Sequence, residues 1–250
     1  MNWILGTGLA GAIALIAYQM RLLTAGGALA AVLIGATVFA VGGVWASVPM
    51  IAFFFASSML PRALGHPHQT EQRTARQVLA NGLAPTLCCW GILLYPERET
   101  GFWLGYAASL AAASADTWAT EFGMCYTDTA WHLTTGRRVP KGTSGAISII
   151  GTAGGAMGAT IVGGLALPLL PHTSHTLIVC SLGVGGMLLD SLLGATLQAH
   201  YRCTSCGVEG EQRTCCDAPA TLVRGVRWVD NDMVNLLSTL TAAAVGVAIG

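Results

Sequence analysis

The chain alternates between long apolar segments and short polar ones, and this pattern predicts a bundle of membrane-spanning helices. Eight apolar segments are each close to the length of about twenty residues that crosses a bilayer as a helix. These segments are residues 3–20, 25–43, 44–60, 78–95, 102–124, 145–170, 176–199 and 233–249. Only Gly42-Gly43 separates the second segment from the third. We therefore expect an all-α, polytopic fold of about eight transmembrane helices that forms a single integral membrane domain over residues 1–250.

The composition agrees with a membrane protein and excludes an ordinary soluble domain. The sequence is 53% hydrophobic and 10% charged, with a mean hydropathy of +0.61, whereas a soluble domain is about a quarter charged. Its 32 glycines suit close packing of helices through small residues. The net charge is zero, and we expect the lipid bilayer, rather than nucleic acid, to be a partner.

The positions of the basic residues predict an orientation. With eight spans, Arg98 falls on one side of the membrane and the other eleven of the twelve Lys and Arg residues fall opposite. Because basic residues concentrate on the cytoplasmic side, we expect both termini outside, in a bacterial inner membrane or an organellar membrane. Three loops would then face the cytoplasm: residues 61–77, 125–144 and 200–232.

Two carboxylates are predicted to lie inside spans at the same depth. Asp116 lies fifteen residues after Gly101, and Asp190 lies fifteen residues after His175. Both segments enter from the outside, so both carboxylates should lie nearer the cytoplasmic face. Such residues are costly in a membrane and usually mark a functional site. Gly194, one turn after Asp190, would leave room for a ligand. The alternative is a pair of buried carboxylates held by hydrogen bonds between helices.

The second cytoplasmic loop ends in a glycine- and hydroxyl-rich stretch, Pro140-Lys-Gly-Thr-Ser-Gly145. Backbone N–H groups in such a turn, together with a helix N-terminus, can bind phosphate. It is not a P-loop, because the lysine precedes the Gly-Thr-Ser-Gly run. We expect nucleotide phosphates to bind Lys141, Arg138 and the backbone of the loop. The loop residues concerned are Gly142, Thr143, Ser144 and Gly145.

Further polar residues are predicted at the cytoplasmic ends of the fourth and last spans. Arg76 and Asn81 lie at the start of the fourth span, and an arginine fork suits phosphate; membrane anchoring and helix capping are the alternatives. Asp232 and Asn235 lie one helical turn apart at the start of the last span, after Asn231. They could bring oxygen ligands to the same site, although Asp at a helix start is often only a cap.

The third loop, residues 200–232, contains four cysteines. Cys203-Thr-Ser-Cys206 has the spacing of a zinc-binding pair, and Cys215-Cys216 follows it. A cytoplasmic location argues against stable disulfides. We expect structural zinc held by three or four of these residues, with reduced, unliganded thiols as the alternative.

Three motifs resemble a known family. Ala115-Asp-Thr-Trp-Ala-Thr-Glu-Phe-Gly123, Thr135-Gly-Arg-Arg-Val-Pro-Lys-Gly-Thr-Ser-Gly145 and Asp190-Ser-Leu-Leu-Gly-Ala-Thr-Leu-Gln198 resemble the polytopic family that contains plant and cyanobacterial phytyl-phosphate kinase. The resemblance extends from Arg21 over nearly the whole chain. Asp116-Thr, Gly123 and the Lys141 loop are also similar, more distantly, to CTP-using membrane enzymes such as dolichol kinase and CDP-diacylglycerol synthase. That similarity implies CTP, although those enzymes usually carry adjacent lysines and a Glu in this loop.

Together the residues and the resemblance predict a membrane kinase that converts an isoprenoid monophosphate, such as phytyl or geranylgeranyl phosphate, to its diphosphate. Asp116 and Asp190 would bind Mg²⁺, with Glu121 and Asp232 as further ligands. Arg76 and Asn81 would bind the lipid phosphate, and Lys141 the nucleotide. Further substrate contacts are assigned to Thr117, Ser191, Asn231 and Asn235.

Two other functions use the same residues. Cytidylyl transfer to a lipid phosphate would need the same metal and nucleotide groups but would attack a different phosphorus. An ion-coupled membrane transporter would instead use Asp116, Glu121 and Asp190 as a relay. The transport hypothesis predicts carboxylates near the midplane of the membrane and no dependence on nucleotide.

Overall fold

A computed structural model describes residues 2–65 and 72–250, and the described chain contains seven helices. These helices are α1 (Trp3–Gln19), α2 (Ala25–Ala63), α3 (Ala75–Leu94), α4 (Glu99–Tyr126), α5 (Ile149–Leu165), α6 (His175–Thr196) and α7 (Asn231–Ile249). The predicted count of about eight is therefore not confirmed. The second and third predicted spans both lie within α2. Residues 66–71 of the predicted loop 61–77 lie outside the described residues.

Helix α2 is interrupted at Gly43, where the backbone has φ 59° and ψ −147°. A straight helix of its 39 residues would be about 58 Å long. Near its far end, however, the Arg62 guanidinium donates to the carbonyl of Arg21, just before the helix begins, at 3.1 Å. The chain must therefore reverse direction at Gly43. Glycine suits this position because it adopts positive φ without steric cost.

Helix α4 lies at the centre of the bundle and packs against α2, α3, α5, α6 and α7. Its residues 103–115 are all buried and include many alanines. Glycines of the surrounding helices face it closely: a Cβ on Gly183 would lie 2.8 Å from the Ala111 Cβ, and one on Gly186 would lie 2.5 Å from that of Ala112. Small residues on both sides thus bring α6 against α4. This packing sets the distance between the segments that carry Asp116 and Asp190.

Four of the helices in the described part of the chain, α2, α3, α6 and α7, are long and apolar enough to cross a membrane. Helices α1 and α5 are apolar but shorter, and α4 does not meet the same criterion despite its 28 residues. Because neighbouring helices surround α4, its buried polar residues Ser109, Ser114 and Glu121 meet protein groups rather than lipid. These helices fit an integral membrane protein, and the orientation of its termini stays a prediction.

The predicted cytoplasmic loops 125–144 and 200–232 form two small antiparallel sheets, so the fold is mostly helical rather than all-α. The first sheet has the order β2-β1-β3 and the second the order β5-β4-β7-β6. Their strands are β1 (Thr129–His132), β2 (Arg138–Pro140), β3 (Ala146–Ile147), β4 (His200–Cys203), β5 (Glu209–Gly210), β6 (Thr214–Cys215) and β7 (Ala218–Arg224).

The two sheets meet at a cluster of basic side chains. Arg224 Nη1 lies 3.4 Å from His132 Nε2, and Arg224 Nη2 donates to the carbonyl of Gly194 at 3.4 Å. Burial lowers the pKa of nearby His200, and the charge of Arg224 lowers it further. Both sheets therefore lie at the end of the bundle where α6 ends. Arg98, in contrast, lies at the opposite end and donates to the carbonyl of Val247 at 3.4 Å.

Candidate functional site

Asp116 of α4 and Asp190 of α6 face each other across the helix interface. Their carboxyl groups line the same cavity and are close enough to interact electrostatically. The Ser238 hydroxyl of α7 also donates to Asp190 Oδ2 at 3.1 Å. Two carboxylates close to each other repel unless a proton or a cation lies between them. Carboxylate oxygens are the ligands that Mg²⁺ prefers, so the donor atoms of this pair fit such an ion.

The pair lines a cavity of about 190 Å³, which we call the polar cavity because many of its lining residues are polar. It is enclosed by the ends of α4 and α6, the start of α5 and the loop between β2 and β3. It brings together nine of the residues predicted from the sequence. These are Asp116, Lys141, Gly142, Thr143, Ser144, Gly145, Asp190, Ser191 and Asn231.

The loop residues 141–145 are held against α6 by close backbone contacts. Gly142 and Gly145 both have φ of 78°, and a Cβ on Gly145 would lie 2.4 Å from the Ala195 Cβ. The Ser144 hydroxyl lies 2.9 Å from Gln198 Oε1. A Cβ on Gly194 would meet this hydroxyl at 3.1 Å. The space that we expected beside Gly194 is therefore partly taken by the loop, although Gly194 also lines the polar cavity.

Lys141 lies at the rim of the polar cavity. Its Nζ donates to the carbonyl of Met124 at 3.0 Å and lies 3.9 Å from Asp128 Oδ1, on a fully exposed side chain. Arg138, predicted to bind phosphate beside it, is exposed instead and stacks over the Trp131 ring at 5.6 Å. Arg138 is not among the described residues that line the cavity. The cationic group at this site is thus Lys141.

Arg76 and Asp232 bind each other instead of lining the polar cavity. Arg76 Nη2 lies 2.7 Å from both carboxylate oxygens of Asp230, and its Nε lies 3.4 Å from Asp232 Oδ2. Asp230 also caps α7 by accepting from the N–H of Met233 at 3.2 Å. The arginine therefore joins the start of α3 to the start of α7. The prediction that Arg76 binds phosphate and Asp232 binds metal does not match this pairing.

Three other predicted residues do not belong to the described lining of the polar cavity. Thr117 bonds back to the carbonyl of Ala113 at 3.0 Å, and Asn235 lies further along α7. Glu121 is buried at 4% exposure on another face of α4, where its charge acts on Arg73. Glu121 follows Asp116 by five residues, which turn a helix by about 140° beyond a full turn. The two side chains therefore leave α4 in different directions.

The structure adds residues that the sequence did not single out. Gln198 is 2% exposed, and among the described residues its side-chain nitrogen has no partner of hydrogen-bond geometry, although the Glu211 carboxyl lies nearby. Both line the polar cavity. Gln198 ends the motif that starts at Asp190, which was a usable signal. Glu211, between the two cysteine pairs, gave none.

A second cavity, which we call the apolar cavity, has a volume of about 280 Å³ and lies between α1, α2 and α3. Its lining is aliphatic and aromatic except for Ser47 and for Arg73, Gln77 and Asn81. The Arg73 guanidinium also donates to the carbonyl of Ser57 at 3.2 Å. Arg73 lies just before the start of α3, and Gln77 and Asn81 lie in its first two turns. The end of the cavity that these residues line is therefore polar. Asn81 thus lines this cavity rather than the polar one.

Helix α7 is bonded to a helix of each cavity, α3 and α6. The Thr239 hydroxyl lies 3.3 Å from the carbonyl of Ala80, beside Asn81 on α3. The preceding residue, Ser238, donates to Asp190. Two consecutive residues of α7 therefore bond to α3, next to a lining residue of the apolar cavity, and to a carboxylate of the polar cavity.

These features define an integral membrane protein with a carboxylate pair facing a glycine-rich, lysine-containing loop. The chain belongs to the family described as "Integral membrane protein DUF92", whose model matches residues 8–243. This membership confirms the family that the three sequence motifs indicated.

Three relatives show the range of the family. The "uncharacterized membrane protein sll0875" of Synechocystis sp. is 30% identical over 238 residues, 92% of this chain and 83% of the relative. The "uncharacterized membrane protein MJ0933" of Methanocaldococcus jannaschii is 32% identical over 177 residues, 71% of this chain and 62% of the relative. "Protein VTE6, chloroplastic" of Arabidopsis thaliana is 25% identical over 181 residues, 70% of this chain and 47% of the relative. No solved structure matches the chain at a significant level.

Proposed function

We propose that this protein transfers a phosphoryl group from a nucleoside triphosphate, CTP by resemblance, to an isoprenoid monophosphate. The observation that carries the proposal is the polar cavity, in which Asp116 and Asp190 face Lys141 and the loop 142–145. Phosphoryl transfer needs little covalent help from a protein, and depends on positioning and on neutralising charge. The two carboxylates, Lys141 and the glycine-containing loop 142–145 could supply this positioning and charge neutralisation.

In this proposal the loop and Lys141 bind the donor phosphates, and the carboxylate pair binds Mg²⁺. The metal, when bound, would neutralise charge on the transferred group. Lys141 can reach a phosphate because its present partners are a backbone carbonyl and the fully exposed Asp128 carboxylate at 3.9 Å, a weak surface pair. The Ser238 hydroxyl orients Asp190. The protein residues thus hold the donor while the acceptor approaches.

The acceptor is a phosphate monoester, whose oxygen is already an anion and needs no general base. That oxygen forms a bond to the γ-phosphorus of the donor, and the bond from this phosphorus to the β–γ bridging oxygen breaks. The products are the lipid diphosphate and the nucleoside diphosphate. We place the prenyl tail in the apolar cavity, with its phosphate at the end that carries Gln77 and Asn81.

Arg76 has a positioning role in this proposal. Its guanidinium is already paired with two carboxylates at the junction of α3 and α7. It therefore holds in place the two helices that carry Asn81 and Ser238. The lipid phosphate meets Asn81 and Gln77 instead.

The position of the carboxylate pair favours transfer over transport. The pair lies beside Lys141 and at the end of the bundle that carries both sheets, whereas a transport relay would need acidic residues along the depth of the membrane. Glu121, the third member of that relay, lies on another face of α4 toward Arg73. Cytidylyl transfer differs from the proposed kinase reaction in its products, which would be a cytidylylated lipid and pyrophosphate.

The test is product analysis in nanodiscs with phytyl monophosphate, Mg²⁺ and CTP labelled at the γ-phosphate. We expect labelled phytyl diphosphate from the unaltered protein and almost none from Asp116→Asn or Asp190→Asn. Glu97→Gln, an exposed acid at the opposite end of the bundle, is the matched control and should keep full activity. Label found in pyrophosphate, with cytidine joined to the lipid, would replace kinase by cytidylyl transfer. No consumption of any nucleotide would overturn both.

A further inference from the structure

Four cysteines of the second sheet converge outside the polar cavity. The Sγ atoms of Cys203, Cys206, Cys215 and Cys216 all lie within 4.8 Å of one another. The Cys206–Cys215 and Cys215–Cys216 separations are 3.7 and 3.8 Å. In a regular tetrahedron with Zn–S distances of about 2.3 Å, neighbouring sulfurs are about 3.8 Å apart. The sulfur positions therefore match the ligand shell of a four-coordinate zinc ion.

Neither disulfide bonding nor core packing explains this convergence. A disulfide needs sulfurs about 2.05 Å apart, and all four thiols are free. Cys206 and Cys216 are exposed, so they gain little from burying apolar surface. Cys88, in contrast, is buried among apolar residues of the bundle. Exposed thiols that point toward one centre fit metal ligands.

The backbone conformation around the thiols also favours metal binding. The N–H of Cys206 donates to Cys203 Sγ at 3.5 Å, which helps to stabilise a thiolate. Gly207 follows with φ of 73°, and Cys216 and Asp217 have φ of 52° and 55°. Positive φ is unfavourable for residues other than glycine. Metal bonds to both Cys215 and Cys216 would offset that cost, because the turn lets two adjacent side chains reach one ion.

We propose that Cys203, Cys206, Cys215 and Cys216 bind one zinc ion, which fixes the segment carrying Glu211 against the polar cavity. Four thiolates complete the shell and leave no open position, so the site is structural rather than catalytic. Glu211 lies between the two cysteine pairs and lines the polar cavity. Zinc binding stands independently of the proposed kinase activity.

The first test measures metal in the protein purified in detergent without added chelator. We expect about one zinc per chain, as for a closed four-thiolate site. Cys206→Ser and Cys215→Ser should lose most of that zinc, whereas Cys180→Ser, outside the cluster, should retain it. Protein that contains no zinc, or variants that keep full zinc occupancy, would overturn the proposal. Iron in place of zinc would overturn the choice of metal.

A second measurement needs no variant and therefore remains informative if the serine variants fail to fold. Titrating the unaltered protein with an organomercurial should release zinc as the four thiols of the cluster react. Amide hydrogen exchange should then rise across residues 203–224 and stay unchanged across the cysteine-free first sheet, residues 129–147. Zinc released without any local change in exchange would contradict the role assigned to the segment around Glu211.

Discussion

The polar and apolar cavities differ in the properties that decide what each can bind. The polar cavity is closed by a loop whose Gly145 packs against α6 and whose Gly142 faces Met124 of α4, and it contains two carboxylates close to each other. The apolar cavity is larger, at about 280 Å³ against 190 Å³, and is lined almost entirely by carbon. One cavity suits charged phosphates, and the other suits a hydrocarbon chain.

The difference between the two cavities indicates what kind of ligand would bind in both of them. Ser238 of α7 donates to Asp190 in the polar cavity, and the next residue, Thr239, bonds the carbonyl of Ala80, the neighbour of Asn81 in the lining of the apolar cavity. A ligand with a charged head and an apolar tail would match the chemistry of both linings. A purely soluble substrate would leave the apolar cavity unused, and a neutral lipid would leave the carboxylate pair unused. The predictions below test each side of this comparison, beginning with the largest expected effect.

The carboxylate pair should act as one unit. We expect Asp116→Asn and Asp190→Asn each to lower kcat/KM more than about a hundredfold, because removing metal ligands costs more than the roughly 10- to 100-fold loss typical of their outer partners. The double variant should be little worse than either single variant, since groups acting together are not additive. Steady-state kinetics on all three variants would measure this, and independent, multiplying losses would contradict a shared metal.

The loop that closes the polar cavity should depend on Gly145. In Gly145→Ala the new Cβ would overlap Ala195 at 2.4 Å and also lie at positive φ. We expect a stability loss of about 2–3 kcal/mol and, because the loop must move, a loss of activity larger than that of its control. Gly136→Ala is the control, because Gly136 also has positive φ but has open space around it; it should cost about 1 kcal/mol.

Thermal unfolding in detergent and turnover would be measured on both glycine variants. Equal losses of stability and turnover in the two variants would show that the cost comes from the positive φ rather than from the contact of the loop with α6.

The sequence could predict the polar cavity because its main residues follow simple rules. Asp116 and Asp190 were found from the cost of intramembrane charge and their equal depth, and the loop 141–145 from its glycines and lysine. Helical geometry alone, applied more strictly, would have separated Glu121 from Asp116 by about 140°. These are local signals, and the structure brings their residues together in one cavity.

Other features depend on contacts between distant parts of the chain. The pairing of Arg76 with Asp230 spans 154 residues, and no local pattern indicates it. The reversal of α2 rests on one backbone conformation at Gly43, at the Gly42-Gly43 boundary between the two spans predicted there, but the sequence does not show that the turn takes a single residue. The strands of both sheets are only two to seven residues long, too short for most of them to show an alternating pattern.

The apolar cavity should select the length of the lipid tail. Val48 lines it near the Gly43 turn, far from the Arg73 end. We expect Val48→Trp to shorten the space and to raise KM several-fold for long prenyl phosphates, with less effect on short ones, because a bulky ring overpacks the cavity. Leu33→Trp, on the lipid-exposed surface of the same helix, is the control. Competition between long and short substrates would detect the shift, and an unchanged preference would place the tail elsewhere.

The smallest effect is expected at the junction of α3 and α7, where Arg76 pairs with Asp230. Arg76 and Asp230 form a short ion pair, but their side chains are 56% and 35% exposed, and such pairs contribute about 0.2–1 kcal/mol. A double-mutant cycle with Arg76→Gln and Asp230→Asn should give a coupling energy in this range from unfolding measurements. Because Asp230 also caps α7, Asp230→Asn alone should cost little, since asparagine caps equally well. If Arg76 binds the acceptor phosphate directly, Arg76→Gln will instead raise KM far more than it lowers stability, and Asp230→Asn will not reproduce that effect.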